Sequence, residues 1–337
     1  MHDLSKRYFW WSISIIALVG ILFLLSLSAL SLGEINMHPV DALKLLFLEQ
    51  SENSIEQMLI TQVRLPRILL GIAVGGSLSL AGVILQGIYR NPLVEPFTLG
   101  ISGGASLGVS LCIVMGLQAS FGSAILPLSG FAGAMITIFL VYSLSVKHAR
   151  VEIQRMLLIG VMISFIASSG IMFIMATTST ENLQGIIFWT MGSLDESNTT
   201  LIHYTLGISI ASLVLSYLFA QPLNAMRLGE EKAQHLGINT NLTVKILFLL
   251  TSLLTGICVA VAGVIGFVGL IIPHLLRLLF GSDYRILLIN SFLLGACFLV
   301  GCDMIARTII SPNELPIGVI TGIIGGIVFI FIMSRKK

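Results

Sequence analysis

Long apolar runs recur along the 337 residues and restrict the fold more than any other feature of the chain. A hydrocarbon core about 30 Å thick takes about 20 apolar residues in helix to cross. The chain supplies such runs repeatedly, and they are continuous instead of alternating apolar and polar, which argues for helices over membrane-spanning strands. With 56% hydrophobic and only 10% charged residues, this is the profile of an all-α polytopic membrane protein. The first run, from about Phe9 to Leu32, is too long for a signal-peptide core and has no small-residue cleavage site after it, so it reads as a retained helix.

Ten spans are predicted, near 10–32, 64–88, 93–116, 126–146, 153–177, 200–220, 243–263, 266–281, 285–307 and 315–334. The eighth is short and contains Pro273, which marks it as broken or re-entrant. An amino terminus on the inner side places all but four of the 18 Lys and Arg there, including Lys6, Lys147, Arg150 and the run Arg335 to Lys337. Only Lys44, Arg64, Arg67 and Arg307 fall outside, so both ends are expected in the cytoplasm. The largest outer loop, about 33–63, is acidic through Glu34, Asp41, Glu49, Glu52 and Glu56.

A faint repeat at an offset of 181 residues pairs Gly75 with Gly256, Ala81 to Ile84 with Ala262 to Ile265, and Pro92 with Pro273. Two halves of five helices, about 1–178 and 179–337, would then be inverted copies, as many transporters are built. Glycines four apart (Gly71/Gly75, Gly100/Gly104/Gly108, Gly318/Gly322/Gly326) fit close helix packing.

Within this oily chain the stretch LNAMRLGEEKAQHLGINTN, Leu223 to Asn241, is short, wet and helix-prone. It falls in a loop, 221–242, that the charge bias puts in the cytoplasm. No G-x-x-x-x-G-K-[ST] or H-E-x-x-H motif occurs, so nucleotide phosphates are not cradled by that loop and no zincin site is present. GISGG, Gly100 to Gly104, matches G-x-S-x-G, and an intramembrane serine protease built on Ser102 would need His274 as its base. Short Gly/Ser motifs arise readily in packed helices, so packing is preferred. Asp303 is the one candidate for a mid-membrane ion relay, but Arg307 one turn on offers it an i, i+4 partner. The four cysteines lie in apolar spans without ligand spacing and read as packing residues. An ion-coupled secondary transporter is the alternative class. Without an ion relay or a nucleotide site, however, the energy for transport must come from a docked partner.

The segments RLPRILLGIAVGGSLSLAGVILQGIYRNPLVEPFTLGISGGASLG, LNAMRLGEEKAQHLG, VAGVIGFVGLIIPHLLRLLFGSDYR and ELPIGVITGIIGG together resemble permease subunits of binding-protein-dependent ABC importers for iron–siderophores, haem and cobalamin. The resemblance implies a second permease subunit around a central path, two cytoplasmic ATPases that hold the ATP and Mg, and a substrate-binding protein outside. It implies no cofactor on this chain and no nucleic-acid partner, and it places the chain in a bacterial or archaeal cytoplasmic membrane. On that resemblance the ATPase-coupling residues are Gly229, Glu230, Glu231, Ala233, Leu236 and Gly237, with Ala233 and Leu236 as an apolar ridge. Arg64 and Arg307 match family arginines that pair with acidic residues of the binding protein, whereas Arg67 reads as a helix anchor. The family's cytoplasmic gate falls on Asn91, Leu93 and Ile153, where Ile153 departs from a small polar residue. An iron–siderophore is the favoured cargo.

Overall fold

The computed structural model describes residues 2–33, 35, 37–47, 55–122, 124–147, 150–196, 198–310 and 313–334. Glu34, Glu49, Glu52 and Arg335 to Lys337 lie outside the described residues, as do the side chains of Lys6, Lys147 and Arg150. In chain order the helices are α1 (His2–Ser31), α2 (Pro39–Phe47), α3 (Ile55–Met58), α4 (Leu65–Tyr89), α5 (Ile101–Val114), α6 (Leu117–Phe121), α7 (Ile125–Ser145) and α8 (Ile153–Thr177). They continue as α9 (Thr180–Thr190), α10 (Thr199–Tyr217), α11 (Ala220–Met226), α12 (Glu230–His235), α13 (Thr240–Ala262), α14 (Val268–Phe280), α15 (Tyr284–Thr308) and α16 (Ile317–Ser334). A two-residue hairpin, β1 (Val146–Lys147) with β2 (Arg150–Val151), joins α7 to α8.

Among the described residues eight helical stretches are long and apolar enough to span a membrane, and the shorter apolar helices α5 and α14 lie at the third and eighth predicted positions. The third span begins at Ile101, not near 93, because Pro92 and Pro96 deny the backbone two donors and Gly100 turns left-handed at φ 81°. Pro96–Leu99 forms a single 3-10 turn instead. At the other short span, α14 runs unbroken through Pro273. Proline has no N–H for the carbonyl four residues back, and the Gln86 side chain donates to that carbonyl, Gly269 O, at 3.1 Å. Pro273 therefore shortens no helix; it opens a docking point for α4.

α4 is the axis of the molecule. It packs against α10, α13, α14 and most extensively α15, while α5 packs between α7 and α8 and α1 lies on α15. Bare backbone makes this possible: a Cβ on Gly75 would sit 2.4 Å from Gly295 O, and one on Gly82 would sit 2.0 Å from Gly269 O. The GISGG segment is a packing device of the same kind, since a Cβ on Gly104 would meet Gly133 O at 2.7 Å. Gly322 and Gly326 on α16, by contrast, face open space. The Ala-Gly-Val-Ile repeat holds two conformations. Ala81 to Ile84 lie inside α4, whereas Ala262 closes α13 and Gly263 turns left-handed at φ 68°.

Helix α4 starts from an unusual approach. Residues Leu59–Arg64 form a π-helical stretch running directly into it. Pro66 cannot donate and its ring crowds the carbonyl four residues back, so the turn before it widens. That widened turn carries Arg64.

Candidate functional site

Two groups of charged and polar residues close the opposite ends of the α4–α15 pair. At the start of α4, Arg64 donates to Leu30 O at 2.6 Å and Ile35 O at 2.5 Å, capping the end of α1. Only 2% of it is exposed. Gly33 lets the guanidinium in, since a Cβ there would stand 2.7 Å from Arg64 Nη2. Arg67 meets Glu314 in a two-pronged contact, 2.9 Å and 2.8 Å, and reaches Asp303 Oδ1 at 3.5 Å. Asp303 Oδ2 in turn pairs with Arg307 Nε at 3.0 Å. The Arg307 end also donates to Ala29 O at 3.4 Å.

Three arginines and two carboxylates therefore join α1, α4, α15 and the entry to α16. Two expectations change here. Arg64 and Arg307 do not stand open to the outside; both are buried and committed to backbone carbonyls of α1. Arg67 is no snorkelling anchor but the hub of the network. The Asp303–Arg307 pair forms as the i, i+4 spacing predicted. Asp303 is buried at 3%, while the Glu314 side chain is 47% exposed and is the part of the network that water reaches. Sequence reasoning missed Glu314 because nothing within ELPIG indicates a partner 247 residues away.

The other end is built around the loop 221–242, which folds as α11 and α12. Gly229 (φ 112°) and Gly237 (φ 81°) bracket α12 in conformations open mainly to glycine. At its close, Gly237 N–H donates to Gln234 O at 2.9 Å and Ile238 N–H to Ala233 O at 3.0 Å, the paired bonds of a Schellman ending. Thr240 ties the helix to α13, accepting from Gln234 Nε2 at 3.0 Å and donating to Glu230 Oε1 at 3.3 Å.

The expected Ala233–Leu236 ridge is divided. Ala233 is fully buried within the chain, while Leu236, past the last helical residue, is 63% exposed. The Schellman turn swings Leu236 off the face that Ala233 occupies. Leu236 and, before α12, Leu228 are exposed apolar side chains of this segment. Glu230 lines a cavity of about 490 Å³ together with Gln234, Gly237 and Ile153 at the start of α8. Of the expected gate residues, Ile153 is thus placed beside α12. Asn91 and Leu93 are not in that cavity's lining; they form a tight turn after α4, where Asn91 Oδ1 accepts the Leu93 N–H at 2.9 Å and the Leu93 side chain is half exposed.

The buried cysteines do packing work: Cys258 Sγ donates to Val74 O at 3.9 Å and Cys297 Sγ to Leu18 O at 3.7 Å. Among the described residues no group of three His, Cys, Asp or Glu side chains has metal-binding geometry. His274 packs edge-on against Phe329 of α16, and its helix lies against α4 and α15, while Ser102 opens α5 between α7 and α8.

Residues 18–335 match the FecCD transport family. The hemin transport system permease protein of Yersinia pestis is 34% identical over 322 residues, which cover 95% of this chain and 96% of that protein. The vitamin B12 import system permease protein of Klebsiella pneumoniae is 37% identical over 281 residues, 83% of this chain and 84% of that one. Among solved structures, a metal-chelate type ABC transporter in an inward-facing conformation is similar, with 31% identity and a TM-score of 0.83 over 95% of this chain and 98% of that chain.

Proposed function

The chain belongs to the FecCD transport family as a multi-pass membrane permease, and on that premise we propose that it forms, with a second permease subunit, the path for an iron–siderophore or a related haem- or cobalamin-type chelate. A substrate-binding protein delivers the cargo to the end that carries Arg67 and Glu314. Two ATPase subunits dock at the end that carries α12 and supply the ATP and Mg. The first end faces outward and the second, with both termini, faces the cytoplasm of a bacterial or archaeal cell.

The observation that carries this reading is α12 itself. A six-residue helix held between two left-handed glycines and stitched to α13 through Thr240 is a rigid lever, and it presents exposed Leu236 at its tip. Partner helices and grooves are recognised through such small apolar anchors rimmed by charge, here Glu231 and Lys232. Movement of α12 would reach α13 directly, and Ile153 across the shared cavity. The open glycines Gly322 and Gly326 on α16 support a second permease subunit, since a facing helix can approach them closely.

The test is transport by purified components in vesicles. The permease alone gives no ATP-dependent uptake; with the ATPase and the binding protein it does. Uptake driven by a proton or sodium gradient in the absence of any ATPase would overturn the reading in favour of a secondary transporter.

A further inference from the structure

Between the end of α4, the middle of α14 and the start of α15 lies a pocket of about 430 Å³ whose lining includes Gln86, Arg90, Arg227, His274, Arg277 and Tyr284. None of its lining residues is acidic. Among the described residues, none of the three guanidiniums takes part in an ion pair. The carboxylate nearest in sequence, Asp283, is already committed to Arg7 at 2.9 Å, Asn224 at 2.9 Å and the Arg285 N–H at 3.0 Å.

The arginines are held in place by neutral partners. Arg227 Nη1 donates to Ser282 O at 2.6 Å. Arg277 Nη1 donates to Gln86 Oε1, and Gln86 is itself fixed by the carbonyl that Pro273 leaves free. The Tyr284 hydroxyl also faces the Arg277 guanidinium, whose buried Nη2 makes no close hydrogen bond. Arg90 holds a left-handed backbone at φ 50°, uncommon for a residue with a side chain. Arg90 and Arg227 are exposed at the mouth of the pocket and Arg277 is half-buried, and planar guanidinium groups suit a phosphate held by two parallel bonds.

We propose that this pocket binds a phosphate group, supplied by the headgroup of an anionic phospholipid. Lipid is favoured over free phosphate because the polar pocket borders apolar surface: Leu278, in its lining, and Leu279 beside it are exposed. A headgroup can enter while its acyl chains lie along α14. The cytoplasmic leaflet is rich in such lipids, and basic pockets between helices recognise them there; this clause rests on the orientation proposed above.

The experiment uses the full chain in nanodiscs of phosphatidylcholine with or without phosphatidylglycerol, followed by detergent extraction and native mass spectrometry of retained lipid. Wild type keeps phosphatidylglycerol in preference to phosphatidylcholine. Arg90→Gln, at an exposed position, and Arg277→Gln each lower that retention about fivefold. Equal retention by Arg90→Gln and wild type overturns the proposal even if Arg277→Gln fails to fold. Binding of inorganic phosphate to the wild type in phosphatidylcholine alone, lost in Arg90→Gln, overturns the lipid source. Unchanged lipid retention with loss of the copurifying ATPase assigns the pocket to a partner carboxylate and also overturns it. Labelling of Ser334→Cys by an impermeant maleimide reports sidedness separately, so a wrong orientation is distinguishable from an empty pocket.

Discussion

The two ends of the α4–α15 pair each gather three arginines and treat them in opposite ways. At the Arg67 end, Asp303 and Glu314 satisfy the charge within the chain, and Arg64 is spent on carbonyls of α1. At the Arg90 end, the guanidinium groups of Arg90, Arg227 and Arg277 meet no described carboxylate. The 25 residues of α4 separate the two by about 37 Å, too far for one to compensate the other through water. A closed network holds helices together. An open one awaits something from outside the chain. The first end is a latch closed by charges within the chain, and the second keeps its positive charge uncompensated within it.

The largest effect falls on the latch. Asp303→Asn removes the buried carboxylate between Arg67 and Arg307 and leaves two guanidiniums with reduced compensation. Breaking a buried pair from one side costs about 3–5 kcal/mol. A large fall in the thermal unfolding midpoint of the detergent-solubilised permease is expected. A midpoint equal to wild type would show that the network carries no stability.

The next contrast lies within the other end. Ala233→Asp buries an unpaired carboxylate inside the chain and lowers both stability and ATPase association. Leu236→Asp stands at an exposed position and leaves the unfolding midpoint unchanged, while weakening ATPase association by about 2 kcal/mol, the scale of an interface hot spot. Copurification of the ATPase and thermal unfolding, measured on both variants, separate the two. If Leu236→Asp copurifies as wild type does, α12 is not the docking element.

These two residues also mark where the sequence stops being informative. The apolar runs located eight long spans and two shorter apolar helices because the bilayer sets the length of a crossing, and the i, i+4 spacing gave the Asp303–Arg307 pair because that contact is local. The glycines around α12 were legible as stops for the same reason. The division of Ala233 from Leu236 was not, since a Schellman turn is decided by what the last carbonyls find to bond. The partners of Arg64 and Arg67 were not legible either: three residues apart, they differ through Leu30 and Ile35 on one side and Asp303 and Glu314 on the other, which the fold brings from elsewhere. Long-range partners of charged residues are invisible to periodicity.

A smaller effect tests whether the latch end receives the binding protein. Arg64→Glu and Arg307→Glu place negative charge where an acidic partner would dock. Since both side chains are buried, docking through them requires release from the carbonyls of α1. Both reversals bury an unpaired carboxylate and lower the unfolding midpoint, so docking is read on the folded fraction: weaker binding of the purified binding protein is expected, more at low ionic strength than at high, because charges released to the rim are screened. ATPase association at the opposite end stays unchanged. Affinity equal to wild type in both variants would leave these arginines as internal caps alone.

The smallest expected effect is the most discriminating. Glu314 is the half-exposed member of the latch, and its two oxygens occupy the face of Arg67 that water and any partner would reach. Glu314→Gln keeps one oxygen for Arg67 and leaves Asp303 in place, so stability changes by about 1 kcal/mol or less, as for other partly exposed pairs. The positive charge of Arg67, itself buried, then loses one of its two compensating carboxylates. If an acidic residue of the binding protein competes with Glu314 for Arg67, removal of the competitor tightens docking about fivefold at low salt, a difference of about 1 kcal/mol. Raising the ionic strength erases the gain. A loss of affinity in place of a gain would mean that Glu314 itself touches the partner, and no change at any salt would confine the whole network to holding α4, α15 and α16 together.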